Sequence, residues 1–189
     1  MSGEMPPPGW KIKRVMRHEM AALATQLRGW SPASAARLAK EGASDGGIDA
    51  AGDTDGLIVL IAAVCPCETP VAICEVARLP CPFSTPKGRK GAYIGNLFVT
   101  PQNRRRGIAR ALVRECERVS REAAIDDVFL TVESTNWPAM QFWRRNGFTM
   151  RYREPLRWRH LFSLKPQRYL YHRALPEEEL SLHKEQNKL

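Results

Sequence analysis

Three consecutive arginines, Arg104, Arg105 and Arg106, stand directly before Gly107, and Ala109 follows two positions later. Cations next to small residues, at a point where a strand gives way to a helix, suit the binding of phosphate. The strand is the apolar stretch running into Thr100 and ended by Pro101; the helix is marked by Ile108, Leu112, Cys116 and Val119, which recur as one stripe. The first turn of a helix leaves about four amides without carbonyl partners, and they carry partial positive charge. A pyrophosphate supplies the missing acceptors. Its close approach needs small residues, which Gly107 and Ala109 provide. Arg110 and Arg114 continue the basic face from Arg106 at i+4 spacing. An amphipathic helix with a solvated basic face is the plain alternative. A complete G-x-G-x-x-G is absent, which disfavours a dinucleotide fold, and no G-x-x-x-x-G-K-[ST] exists, which excludes a P-loop.

The elements that must position this cradle can be read from periodicity and punctuation. Trp10–Met16 predicts a first strand, His18–Arg28 a helix, and Ser31-Pro32 caps a second helix running to about Glu41. Gly42–Gly56 reads as a loop. Leu57–Val64 and Val71–Leu79 predict an antiparallel hairpin, and Ala92–Thr100 the strand leading to the cradle. A helix over 105–122 follows, then a strand at Asp127–Glu133 with Val128, Leu130 and Val132 facing one way. Asn136 is placed to cap a short helix with Pro138 in its first turn, and Gly147 to end it. Phe148–Arg153 and Arg168–Leu175 read as the last strands. The order β-α-α-β-β-β-α-β-α-β-β predicts a mixed sheet covered by helices, in the α/β (α+β) range.

The chain has 189 residues and a formal net charge of +9, which draws anionic partners without specifying the fold. Its longest apolar run, Leu57–Cys67, is too short for a membrane-spanning helix. Met1–Trp10 has three prolines and no apolar core of a secretory signal. With five cysteines, an odd number, this predicts an intracellular, cytoplasmic home, or an organelle if a transit peptide has been removed. Cys65, Cys67, Cys74 and Cys81 lie close together, but their spacing matches no common zinc pattern, so no metal is expected.

Two segments resemble the GNAT (GCN5-related N-acetyltransferase) superfamily. Val99-Thr100-Pro101-Gln102-Asn103-Arg104-Arg105-Arg106-Gly107-Ile108-Ala109 is similar to its acetyl-CoA-binding motif Q/R-x-x-G-x-G/A, standing here as Arg104-x-x-Gly107-x-Ala109. Asn136-Trp137-Pro138-Ala139-Met140-Gln141-Phe142-Trp143-Arg144-Arg145-Asn146-Gly147-Phe148 is similar to N-x-x-A-x-x-F-Y-x-x-x-G-F. The resemblance spans about residues 10–175, leaving a flexible N-terminus (1–9) and a charged tail (176–189). It implies a single-domain fold with a mixed, mostly antiparallel sheet flanked by helices, and acetyl-CoA as cofactor. It also implies a V-shaped opening between the strands Ala92–Thr100 and Asp127–Glu133. There the backbone of Phe98 and Val99 would pair with the pantetheine arm. The amides of Arg105, Arg106, Gly107, Ile108, Ala109 and Arg110 would hold the pyrophosphate, with Asn136 and Trp143 near the cofactor.

In that family an amine attacks the thioester directly, and it must be neutral to do so. Near pH 7.5 this costs roughly 4 kcal/mol for a lysine and well under about 1 kcal/mol for a protein N-terminus. The strand Ala92-Tyr93-Ile94-Gly95-Asn96-Leu97 lacks the family's frequent carboxylate, so Glu75 and Glu133 are the candidate bases, each with a solvated surface carboxylate as its alternative. The family's acid is the tyrosine that Trp143 replaces, and indole cannot usefully give up a proton. Tyr152, Tyr169 or Tyr171 could substitute, the thiolate could leave through water, or the domain could bind the cofactor with little chemistry. The basic, aromatic run Arg151–Arg173 suggests a loop at about 154–167 that grips an acidic peptide or another anionic acceptor, with single-stranded nucleic acid or ribosomal RNA as the less favoured rival and a surface face of buried aromatics and solvated arginines as the plain alternative. A protein N-terminus or lysine is the expected acceptor.

Overall fold

The computed structural model describes residues 9–15, 19, 57–64, 69–80, 90–153 and 166–176. The two helices expected before Leu57, the Gly42–Gly56 loop, the 154–167 loop up to residue 165, and Cys65, Cys67 and Cys81 lie outside them.

Seven strands form one mixed sheet in the order β1-β2-β3-β4-β5-β7-β6. They are β1 (Lys11–Arg14), β2 (Leu57–Val64), β3 (Pro70–Pro80), β4 (Lys90–Val99), β5 (Asp127–Glu133), β6 (Thr149–Arg153) and β7 (Arg168–Ala174). The expected β2–β3 hairpin is antiparallel, with Ile61 opposite Cys74 and Ala63 opposite Ala72. β5–β7 and β6–β7 are antiparallel as well. The parallel pair is β4–β5, joined at Ala92↔Val128 and Tyr93↔Phe129.

Two helices are described, α1 (Ile108–Glu122) and α2 (Trp137–Arg145). The expected start of α1 at Arg105 is corrected to Ile108. Thr100 leads into a 3-10 turn at Pro101–Asn103. Arg105 and Gly107 then take φ of 63° and 79°, left-handed values that a right-handed helix cannot contain. α1 begins once that turn is complete.

The chain groups into two compact units. The first comprises Met1–Arg78 and Ile94–Val119, the second Leu79–Tyr93 and Ser120–Leu189. In the first, β3 is buried continuously from Ala72 to Ala77, so it is covered on both faces. The stripe Ile108, Leu112, Cys116 and Val119 of α1 is buried in the same unit. In the second, β5 buries Val128, Leu130 and Val132 and exposes Thr131 and Glu133, as the alternation predicts, although Phe129 is buried too. There Trp143 lies edge-on to both Phe142 and Phe148, at centroid distances of 5.1 and 5.0 Å.

Candidate cofactor cradle and active site

The cradle is built from a strand end, a tied turn and an open helix start, all in the first unit. Thr100, nearly buried, fixes the turn: its amide and its hydroxyl both donate to the Val71 carbonyl, at 2.9 and 3.0 Å. The same hydroxyl accepts from Asn103 Nδ2 at 2.9 Å, while the Asn103 amide donates to the Thr100 carbonyl at 2.9 Å. Arg106 Nη1 donates to Asn103 Oδ1 at 3.1 Å, tethering that guanidinium to the turn. Arg104 Nε donates to the Val99 carbonyl at 3.1 Å, so the end of the segment expected to meet pantetheine already has one acceptor engaged.

Beyond this turn the amides stop finding partners. None from Arg105 to Arg110 donates a hydrogen bond among the described residues; the Ala111 amide is the next to do so, to the Gly107 carbonyl at 3.1 Å. α1 has no acidic residue in its first turn, and Arg104, Arg105, Arg106 and Arg110 are exposed around it. Gly107, at φ 79°, is open on its outer side: an added Cβ would meet nothing within 4 Å, in the space a ligand would use. Buried Ile108 anchors the helix from below. Free donors, fixed positive charge and an open approach fit a pyrophosphate.

Glu75 shares this unit and is 2% exposed, far from the solvated alternative. Its Oε2 accepts from Asn96 Nδ2 at 2.9 Å. Asn96 has φ 50°, a left-handed residue within β4, which asparagine tolerates better than most. The run of apolar neighbours around Glu75 was the sequence signal for its burial. The Asn96 contact had no such signal.

The remaining candidates belong to the second unit. Glu133 is exposed at the end of β5, with Arg168 opposite. Asn136 Oδ1 accepts from the Ala139 amide at 3.2 Å, the capping bond expected of it. Trp143 is 5% exposed. Tyr152 is half exposed on β6, which β7 separates from β5. Tyr169 stands opposite Val132, and Tyr171 is fully buried. Sequence reasoning passed over Tyr93, whose hydroxyl lies 2.9 Å from Thr131 Oγ1 while its ring packs edge-on to Phe129.

Of the five cysteines, Cys74 and Cys116 are described. Both are fully buried, with sulfurs 3.4 Å apart. The Cys74 contact, then burial, push the Cys116 thiol well up, so this pair is packing rather than nucleophile. Among the described residues no cluster of three or more His, Cys, Asp or Glu could hold a metal. No described helix is long and apolar enough to cross a membrane.

Comparison with known proteins agrees with this geometry. The chain is 32% identical over 85 residues to GCN5-related N-acetyltransferase 7, chloroplastic, from Arabidopsis thaliana. That match covers 45% of this chain and spans only 31% of the relative's length. Arabidopsis thaliana NAA60 in complex with a bisubstrate analogue superimposes with a TM-score of 0.62 at 20% identity, covering 88% of this chain and 98% of that one. Ard1 from Thermoplasma volcanium gives 0.59 at 18% identity, with 89% and 99% covered. Both likenesses are of fold. The model of the acetyltransferase (GNAT) family matches residues 36–148, more than half of the sequence. With that match, the chain belongs to the acetyltransferase (GNAT) family.

Proposed function

We propose that this chain transfers an acetyl group from acetyl-CoA to the amine of a protein, at an N-terminus or a lysine, by direct attack in a ternary complex. The observation that carries this reading is the run of amides from Arg105 to Arg110 that have no partner among the described residues, flanked by exposed arginines and opened by left-handed Gly107. When bound, the cofactor supplies an activated acetyl thioester. The chain's own work is to hold the phosphates on those amides, with Arg104, Arg105, Arg106 and Arg110 neutralising their charge. It must also take a proton from the acceptor amine. Glu75 suits that task best: it is a buried carboxylate in the same unit as the cradle, oriented by Asn96. Glu133 is the second candidate, exposed and reachable by solvent. Tyr93, Tyr152 and Tyr169 are the phenols proposed as proton donors in place of Trp143. For Tyr93 the support is its hydroxyl contact with Thr131.

A ternary complex of cofactor and acceptor is supported by the NAA60 neighbour, whose structure holds a bisubstrate analogue. The chloroplastic name of the curated relative supports an organelle address, tested by imaging this chain fused to a fluorescent protein.

A second reading, a binding module with little turnover, has its own observation. Trp143 fills the family's tyrosine position and is packed between Phe142 and Phe148. One experiment separates the two. Acetyl-CoA should raise the melting temperature, and a peptide library should then release free thiol and acquire acetyl groups. Stabilisation without transfer to any peptide or amine would select the module. Absence of stabilisation would remove both.

A further inference from the structure

The geometry points to β6 as a docking edge for an extended acidic segment of a partner protein. This site lies wholly in the second unit and does not depend on cofactor binding. β6 is the last strand of the sheet, so among the described residues one of its sides has no strand partner for its backbone N–H and C=O groups. All five of its residues are exposed, including Met150 at 47% and Tyr152 at 50%. Two large apolar side chains on so short an edge are more than the scattered exposure of an ordinary surface. The register with β7 shifts between Met150 and Tyr152, leaving Arg151 as an extra residue in the strand.

Charge selects the occupant. α2, β6 and β7 carry six arginines, Arg144, Arg145, Arg151, Arg153, Arg168 and Arg173, and no acidic residue. The side chains of Arg151 and Arg168 are exposed and have no ion pair or hydrogen bond among the described residues, although Glu133 of β5 stands opposite Arg168. Arg153 is held in place: Nε and Nη2 donate to Gln167 Oε1 at 3.1 and 2.7 Å, and its guanidinium lies 5.7 Å from the centre of the Tyr169 ring. A second copy of this chain is a poor occupant. An antiparallel pair centred on Arg151 would set that guanidinium against its own copy, and like charges opposed across strands destabilise. An extended peptide with alternating acidic and apolar residues satisfies the backbone edge, the arginines and the exposed Met150 and Tyr152 together.

The competing account is that the arginines and the bulge keep the edge from pairing with anything. A fluorescein-labelled decapeptide of alternating Glu and Val distinguishes the two in fluorescence anisotropy with the full chain. Saturable binding is expected, at least about tenfold weaker for a peptide N-methylated at alternate amides and for the Arg151→Glu/Arg153→Glu variant. That variant should keep its acetyl-CoA stabilisation, which reports that it is folded. No saturable binding would overturn the proposal in favour of a protected edge. Equal binding of the N-methylated peptide would overturn strand pairing in favour of charge alone. Tighter binding of a twelve-nucleotide oligouridine, with no competition by the peptide, would overturn it in favour of nucleic acid.

Discussion

The two described helices begin in opposite ways. α2 starts on Asn136, whose side chain accepts from the Ala139 amide, and Pro138 in its first turn has no amide to satisfy. α1 starts after two left-handed residues, has no acidic residue in its first turn, and leaves its first amides without partners among the described residues. A helix start uses either its own cap or something else to satisfy these donors, and capping is worth about 1 kcal/mol. Omitting the cap costs stability unless a ligand replaces it. The omission at α1, beside exposed arginines, is what the proposed phosphate site requires. The complete cap at α2 is a sign of structure.

The most severe way to break this contrast is at Gly107. Gly107→Val puts a β-branched residue at φ 79°, where it is strained by about 1–2 kcal/mol, and fills the open side of the cradle. Acetyl-CoA affinity, measured by calorimetric titration, should fall at least about 100-fold, since several charge-assisted amide bonds go together. The fold should persist with a melting temperature a few degrees lower. Unchanged affinity would show that phosphate binds elsewhere.

Next in size is the arginine contribution. Arg105→Ala/Arg106→Ala should weaken acetyl-CoA about tenfold to 100-fold, with the loss shrinking as salt is raised. Arg151→Ala/Arg153→Ala removes the same charge from β6 and should leave the affinity within about twofold, because neither arginine belongs to the turn proposed to hold the phosphates. Equal losses in the two variants would mean that net charge, not the cradle, attracts the cofactor.

These contrasts were partly visible in the sequence. The α1 stripe was legible because a 3.6-residue period reports burial directly, and all four of its members are buried. Asn136 and Gly147 were legible because caps are local: the asparagine accepts within its own turn and the glycine sits at φ 81°. The exact start of α1 was not, since the left-handed Arg105 carries a side chain that no turn rule demands there. For Glu75 the apolar run of β3 hinted at burial, but a surface carboxylate stayed open as the alternative because the cover on both faces is a tertiary fact. Contacts between strands distant in sequence were not legible at all. Asn96 against Glu75, Tyr93 against Thr131, and β7 lying between β5 and β6 all depend on sheet order, which local patterns do not encode.

A smaller test asks whether the caps are as different as they look. Asn136→Ala should cost about 1 kcal/mol of stability in urea unfolding, the usual loss for a side-chain cap. It should leave acetyl-CoA affinity unchanged, because the Asn136 side chain is already engaged by its own helix. A fall in affinity equal to that of the arginine variant would show that Asn136 serves the cofactor as well as its helix.

The smallest expected effect lies on α1 itself, beyond its open start. Glu115 receives Arg14 Nε at 3.2 Å and Arg118 Nε at 2.8 Å. Burial alone would raise its pKa, but hydrogen bonding and charge from Arg118, with Arg14, outweigh it and hold the carboxyl below its ordinary value of 4.5. Because the folded pKa is the lower one, this group's stabilisation is present above about 4.5 and is lost as the pH falls through the folded value. Glu115→Gln should therefore be less stable than the parent at pH 7, by about 1 kcal/mol or less for a partly exposed ion pair. The gap should close in urea melts between pH 5 and about pH 3. Acetyl-CoA affinity at pH 7 should not change, since these bonds brace the middle of the helix. A gap that stayed constant down to pH 3 would mean that Glu115 acts through packing and that α1 is held in place without its ion pairs.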